Sequence, residues 1–169
     1  MPLNRPKAFS LIELLYTLAL LSLFAFMALP AFGQLIEANR IQSLYSLLYR
    51  QLYQARASSI LHNRDIEVCG SRDGLVCDDH WESGWLVRDH DSGEPITQHR
   101  LAPTDHLNWS GATARIRFRQ NGTAPLGNGR FYLCDRKAKV VLQIVLNRQG
   151  RMRRVSGLES TQDPQMRCS

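Results

Sequence analysis

Arg148, Arg151, Arg153 and Arg154 crowd one short stretch, "NRQGRMRR". Arginine carries a planar fork of donors that binds phosphate or carboxylate oxygens in pairs. On a strand, Arg151 and Arg153 point to the same face about 7 Å apart, close enough to grip successive phosphates. Lys137 and Lys139 alternate in the same way on the neighbouring segment. Such a row holds nucleic acid by its backbone, without base readout and with strong salt dependence. A solvated face or a subunit contact would use the same residue types, and composition alone leaves all three open.

Three other sets of residues could do chemistry. Cys69, Cys77, Cys134 and Cys168 form an even set. Beyond an apolar N-terminal segment, an even set suggests two disulfides in an oxidising compartment. Zinc is disfavoured, because no CxxC or CxxH pair is present. Cys69 and Cys77 flank "GSRDGLV" and could staple a hairpin, which leaves Cys134 for Cys168. His80 in "DDHWE" and His90 in "RDHDSGE" lie near acids. Both stretches read as solvated turns, and no metal site is assigned. There is no phosphate loop, nucleophile elbow or HExxH. The reading is therefore of a chain with no catalytic residues and no cofactor. Glu13 is the third set by itself, an acid just inside the oily run "FSLIELLYTLALLSLFAFMALP".

The elements that carry these residues follow from patterning. The first 60 residues are rich in Leu, Ala and Tyr, and then the texture shifts to Gly, Asp, Arg, Thr and Val. Leu35, Ile36, Ile41, Leu44, Leu48, Leu52 and Ala55 recur at helical spacing. One helix from about Phe9 to Leu61 is expected, roughly 80 Å long at 1.5 Å per residue. Its first half is apolar all round, and Pro30 with Gly33 predicts a kink or melted turn. Tyr45, Tyr49 and Tyr53 are expected to pack rather than bind. After Asn63, "RDIEVCG", "GWLV", "RIRF" and "RFYLCDRKAKVVLQIVL" read as strands, with "NRQG" as a hairpin turn. In "RIRF", Ile116 and Phe118 face one side and the arginines the other. The expected organisation is 1–8 leader, 9–33 apolar helix, 34–62 amphipathic helix and 63–169 β-domain. Charge is polarised too. Residues 62–105 hold ten acids and four Lys or Arg, whereas 115–154 hold eleven Lys or Arg and one acid, Asp135.

The front of the chain, "KAFSLIELL", resembles the processing site of type IV prepilins and pseudopilins. The resemblance implies a basic leader removed by a prepilin peptidase between Ala8 and Phe9. It also implies N-methylation of Phe9, with Glu13 as fifth residue of the mature chain and Pro30 as the helix-loosening proline. Ala8 departs from the usual Gly there, which implies slower processing. A lone carboxylate in lipid is costly, and pairing it with a neighbouring subunit's Phe9 amine removes that cost in a filament. Before assembly the helix would sit in the bacterial inner membrane, with the C-terminal domain in the periplasm. After assembly it would be part of an extracellular pilus.

The rest of the chain, "VCG…VCDDHWESGWLV", "RIRFRQNGTA", "LCD" and "VVLQIVLNRQGRMR", resembles the GspH/FimT group of minor pilins and pseudopilins. An α+β, type IV pilin-like fold is implied, with a long helix packed on an antiparallel sheet domain. In FimT-like members a GRxR motif is implicated in binding DNA during natural transformation. "GRMR" matches it at Gly150, Arg151 and Arg153; charge proximity adds Arg148, Arg154, Lys137 and Lys139. Implied partners are the peptidase, other major and minor pilins, and double-stranded DNA. Two alternatives stand beside this. One is a GspH-like pseudopilin of a type II secretion system, and the other is an assembly-priming minor pilin that binds no DNA.

Overall fold

The computed structural model describes residues 10–163 and Cys168. The chain forms two compact units, Met1–Asn39 and Arg40–Ser169. In the first, α1 (Leu11–Leu61) begins as an uninterrupted helix. Its leucines and phenylalanines, Leu21, Phe24 and Phe26 among them, are uncovered. By length and composition this stretch can cross a membrane. The backbone stays helical through Pro30 and Gly33, which corrects the expected melted turn. Pro30 removes one N–H donor, but the bonds of the surrounding turns are enough to hold the helix.

The second unit is built from the rest of α1 and eight strands. These are β1 (Ile66–Gly70), β2 (Gly84–Asp89), β3 (Pro95–Arg100), β4 (His106–Gly111), β5 (Arg115–Phe118), β6 (Gly129–Cys134), β7 (Val140–Leu146) and β8 (Met152–Ser156). They form two four-stranded sheets, ordered β3-β2-β1-β5 and β4-β6-β7-β8. All the pairings between them are antiparallel. Period-2 alternation directs Ile66, Val68, Ile116 and Phe118 of one sheet and Phe131, Leu142, Ile144 and Leu146 of the other into one core. The α1 stripe of Ile41, Leu44, Leu48, Leu52 and Ala55 completes it. Every residue of that core lies at position 41 or beyond, so residues from about 34 onward hold all the buried apolar surface needed to fold. The expected packing is seen for Tyr45, which is buried and stacks on Tyr49 at 5.7 Å, and not for Tyr53, which is exposed. Trp81 and Trp85 are both core residues.

The outer faces of the sheets are partly roofed. On the first, the segment after β1 folds back, and Cys69 is bonded to Cys77 with Cα atoms 5.5 Å apart. The bond pins an irregular loop to β1 rather than stapling two strands. That roof is why all five residues of β1 are buried, Glu67 included. Glu67 is neutralised by Arg88, whose Nε and Nη2 donate to it at 2.8 and 2.5 Å. On the second sheet, the chain after β8 crosses the outer face and is tied down by Cys134–Cys168. Gln143, wholly buried on that face, donates to the Gly157 carbonyl and to Gln162 Oε1.

Candidate nucleic-acid interface

The hairpin β7–β8 turns through Asn147, Arg148, Gln149 and Gly150. The Asn147 N–H donates to the Arg151 carbonyl at 3.1 Å, and the Arg151 N–H donates to Asn147 Oδ1 at 2.9 Å. Gly150 closes the turn with φ of 72°, a left-handed conformation that glycine adopts without strain. It is also buried against a second turn. A Cβ on Gly150 would collide with the Gly122 carbonyl oxygen. The Ala124 N–H donates to the Arg148 carbonyl at 2.9 Å. Arg56 of α1 donates to both turns, to the Gly122 carbonyl at 2.9 Å and the Gln149 carbonyl at 3.3 Å. The arginine-bearing turn is therefore welded to the body of the domain. A free hairpin tip would pay ordering entropy on binding, and this one has little left to lose.

Arg148, Arg151 and Arg153 are all exposed. Among the described residues, the side chains of Arg148 and Arg151 make no hydrogen bond or ion pair. Arg153 sits opposite Val145, which in turn sits opposite Arg130 of β6. Cross-strand partners share a face, so Arg130 and Arg153 flank Val145 on the outer surface, about 10 Å apart across two strand spacings. Both donate to one carboxylate: Arg153 Nη2 to Glu159 Oε1 at 2.8 Å, and Arg130 Nη1 to Glu159 Oε2. Those two hydrogen bonds, Arg153's first, hold the Glu159 carboxyl below its ordinary value. Beside Arg130 and Arg148 an open groove of about 580 Å³ runs between Ser110, Asn128, Asn147 and Gln149.

Three of the sequence candidates stand apart from this face. Arg154 has the opposite parity to Arg153. Its guanidinium lies 5.0 Å from the centre of the Tyr45 ring and donates to Gln42 Oε1 at 2.9 Å. Lys137 and Lys139 lie in the β6–β7 turn, at the far end of β7 from Arg148. The seven residues of β7 put them about 20 Å away. Adjacent strands bring segments side by side, but a hairpin's two turns sit at opposite ends. Two residues that sequence reasoning missed are brought close. Arg130 is one. Arg119 is the other, but only through its backbone: its carbonyl accepts from the Gly122 N–H in the turn welded to Gly150, while its side chain borders a groove with Arg115 and Arg117 of the first sheet. An isolated arginine in "NGRFYLC" carries no local signal; only the pairing register shows its neighbour. His80 and His90 each face one carboxylate that already has an arginine partner, Asp78 with Arg72 and Glu67 with Arg88. Glu13 lies in the first turn of α1. Ala8 and Phe9 fall outside the described residues.

Comparison with known proteins agrees with this architecture. No curated protein sequence matches. Two crystal structures of the Pseudomonas aeruginosa type IV minor pilin FimU superpose with TM-scores of 0.57 and 0.56, at 22% and 23% identity. The matches cover 79% and 76% of this chain, and 98% and 99% of the FimU chains. They show that the α+β arrangement is the type IV pilin fold. Residues 46–150 match the family described as type II transport protein GspH. That span runs from the amphipathic half of α1 through the first residue of the GRMR motif, and on it the chain belongs to the GspH family.

Proposed function

We propose that this chain is a minor subunit of a type IV pilus that holds double-stranded DNA through the β7–β8 hairpin during uptake. The observation that carries the reading is the welded turn presenting Arg148 and Arg151 to solvent, with Arg153 on the same strand. The unpaired guanidinium groups of Arg148 and Arg151 project from a backbone that is already ordered, and each can take phosphate oxygens in pairs. Contacts of this kind go to the phosphate backbone, so binding in this reading is indifferent to sequence. The gel-shift test uses residues 34–169 with random-sequence duplex. If about four phosphates are neutralised, the log–log salt slope is near −3.6. Arg151→Gln with Arg153→Gln abolishes the shift and leaves the melting curve intact. A double variant that still shifts DNA like the wild type refutes the site.

The front end serves assembly in the same reading. A prepilin peptidase cuts before Phe9, and α1 holds the subunit in the inner membrane with its C-terminal domain in the periplasm. Glu13 then pairs with the Phe9 amine of a neighbouring pilin as the helix enters the filament. Mass spectrometry of membranes is expected to find a chain starting at N-methylated Phe9. An intact Met1 despite an active peptidase rejects this.

The family description favours a second reading, a pseudopilin of a type II secretion machine whose basic face meets another subunit. Under it the gel shift fails at low salt while the peptidase cut is unchanged. The gel shift therefore separates the readings, and the peptidase cut is common to both.

A further inference from the structure

Arg130 and Arg153 come from strands two places apart, yet they converge on a single anion, the carboxylate of Glu159. The residue after next on the hairpin side, Arg151, projects to the same face about 7 Å along the strand. The convergence is held on both sides. Arg130 also donates to Gln143 Oε1 at 3.2 Å, and Gln143 is itself locked to Gly157 and Gln162. Glu159 sits in a small turn, its N–H donating to Gln162 Oε1 and its carbonyl accepting from the Gln162 N–H. Behind it, Leu158 packs on Tyr132, Cys134, Val140 and Cys168. The backbone of the tail is thus anchored, while the Glu159 side chain is only about three-quarters covered, 27% remaining exposed. It can swing outward without undoing the buried hydrogen bonds of Gln143.

We propose that Glu159 is a built-in phosphate surrogate: it fills, in the free protein, the anion position between Arg130 and Arg153 that a DNA phosphate takes in the complex. This rests on the DNA-binding reading above and adds Arg130 to its contacts. A carboxylate and a phosphodiester oxygen offer the same acceptors to a guanidinium, so the exchange costs no new geometry. The tail thereby sets a threshold. Weak or isolated anions meet Arg153 already neutralised, whereas a polyanion that engages Arg148 and Arg151 first is held beside the fork and displaces the carboxylate. Removing the displaced charge also removes its repulsion against the incoming phosphates.

Fluorescence anisotropy with residues 34–169 and a labelled random-sequence duplex tests this between 50 and 200 mM salt. Glu159→Gln keeps the shape and loses the charge. It is expected to tighten binding about 3- to 10-fold at 50 mM salt. Its salt slope is expected to match the wild type's, because the same phosphates are neutralised once the carboxylate has been displaced. Arg130→Gln weakens binding and removes most of the gain from Glu159→Gln in the double variant. Equal or weaker binding by a natively melting Glu159→Gln overturns the proposal, because Glu159 would then be bracing Arg153 rather than blocking it. As a second readout, the side-chain carboxyl 13C resonance of Glu159 in the wild type moves when DNA is added; an unmoved resonance under saturating DNA overturns the exchange whatever the variants do. A wild type that binds no duplex at all overturns this together with the DNA reading. Wild-type binding lost in the Arg151→Gln, Arg153→Gln variant but unaltered by Glu159→Gln overturns this alone.

Discussion

Gly150 looks from sequence like a turn residue, and the structure gives it a second duty that can be measured separately. Replacing it with alanine adds a Cβ at φ of 72°, and an L-residue in that region costs roughly 1–2 kcal/mol. The new Cβ also meets the Gly122 carbonyl oxygen, a backbone atom that cannot rotate away. Relief requires the two turns to part, which strains the Ala124–Arg148 hydrogen bond and the Arg56 hydrogen bonds to Gly122 and Gln149. Overpacking of this kind costs roughly 1–3 kcal/mol. The total for Gly150→Ala is about 2–5 kcal/mol. Gly93 supplies the internal control: its φ is 73°, and a Cβ there meets nothing within 4 Å. Gly93→Ala should therefore cost only the conformational part, about 1–2 kcal/mol. Urea denaturation of residues 34–169 measures both from the shift in midpoint at unchanged slope. Equal losses in the two variants would refute the weld. A larger loss at Gly150 accompanied by weaker DNA binding would connect the weld to preorganisation of the arginines.

The other predictions use the same fragment. Loop closure predicts that Cys134→Ser with Cys168→Ser, opening a separation of 34 residues, costs about 4 kcal/mol, against about 2.6 kcal/mol for the pair Cys69 and Cys77, whose separation is 8; a reversed order in urea midpoints would contradict the chain-entropy account. Arg88→Met leaves Glu67 buried without its main partner and should cost about 3 kcal/mol at pH 7, with most of the loss recovered by adding Glu67→Gln; absence of recovery in the double variant counts against the pairing. Burial, partly opposed by Asp105, holds the His99 imidazole below its ordinary 6.5. The unfolded chain therefore binds a proton that the folded chain refuses, and stability is full above about pH 6.5 and declines as pH falls below it. Urea midpoints at pH 7.5 and 5.5 should differ less in His99→Gln than in the wild type, and an equal difference would remove His99 as the source.

Local patterns made much of this fold legible. "RIRF" alternates, and "VVLQIVL" is a short β-branched apolar run; both are strands, with Ile116 and Phe118 in the core. The α1 stripe is likewise a local signal read at 3.6-residue spacing. Both disulfides join the cysteines that spacing paired. The shortfall lies in what depends on register between distant strands. Lys137 and Lys139 precede Arg148 by few residues, yet a whole strand separates them. Arg154 follows Arg153 directly, and one step along a strand turns it to the opposite face, onto Tyr45. Arg130 is far from Arg153 in sequence and near it in space only because β6 and β8 both pair with β7.

The charge asymmetry of the sequence acquires a physical meaning once pairing is known. The acidic stretch does not form an acidic face. Asp65, Glu67, Asp78, Asp79, Asp89 and Asp105 lie against Arg117, Arg88, Arg72, Arg115, Arg64 and Arg40 in turn. Most of those pairs hold loops onto the first sheet or onto α1, so their charge is spent inside the domain. Two of the arginines, Arg115 and Arg117, are drawn from the basic stretch to do it. On the second sheet the only carboxylate set between arginines of the outer face is Glu159, among the described residues. Of the cations outside those pairs, Arg148 and Arg151 meet solvent at the welded turn, while Lys137 and Lys139 stand exposed at the opposite end of β7. The pair at the turn steers a polyanion toward it before any contact is made. It follows that reversing one of the paired arginines, Arg117→Glu, should slow DNA association less than Arg148→Glu at low salt, although both change the net charge equally. Equal association rates would mean that total charge, not its placement, governs the encounter.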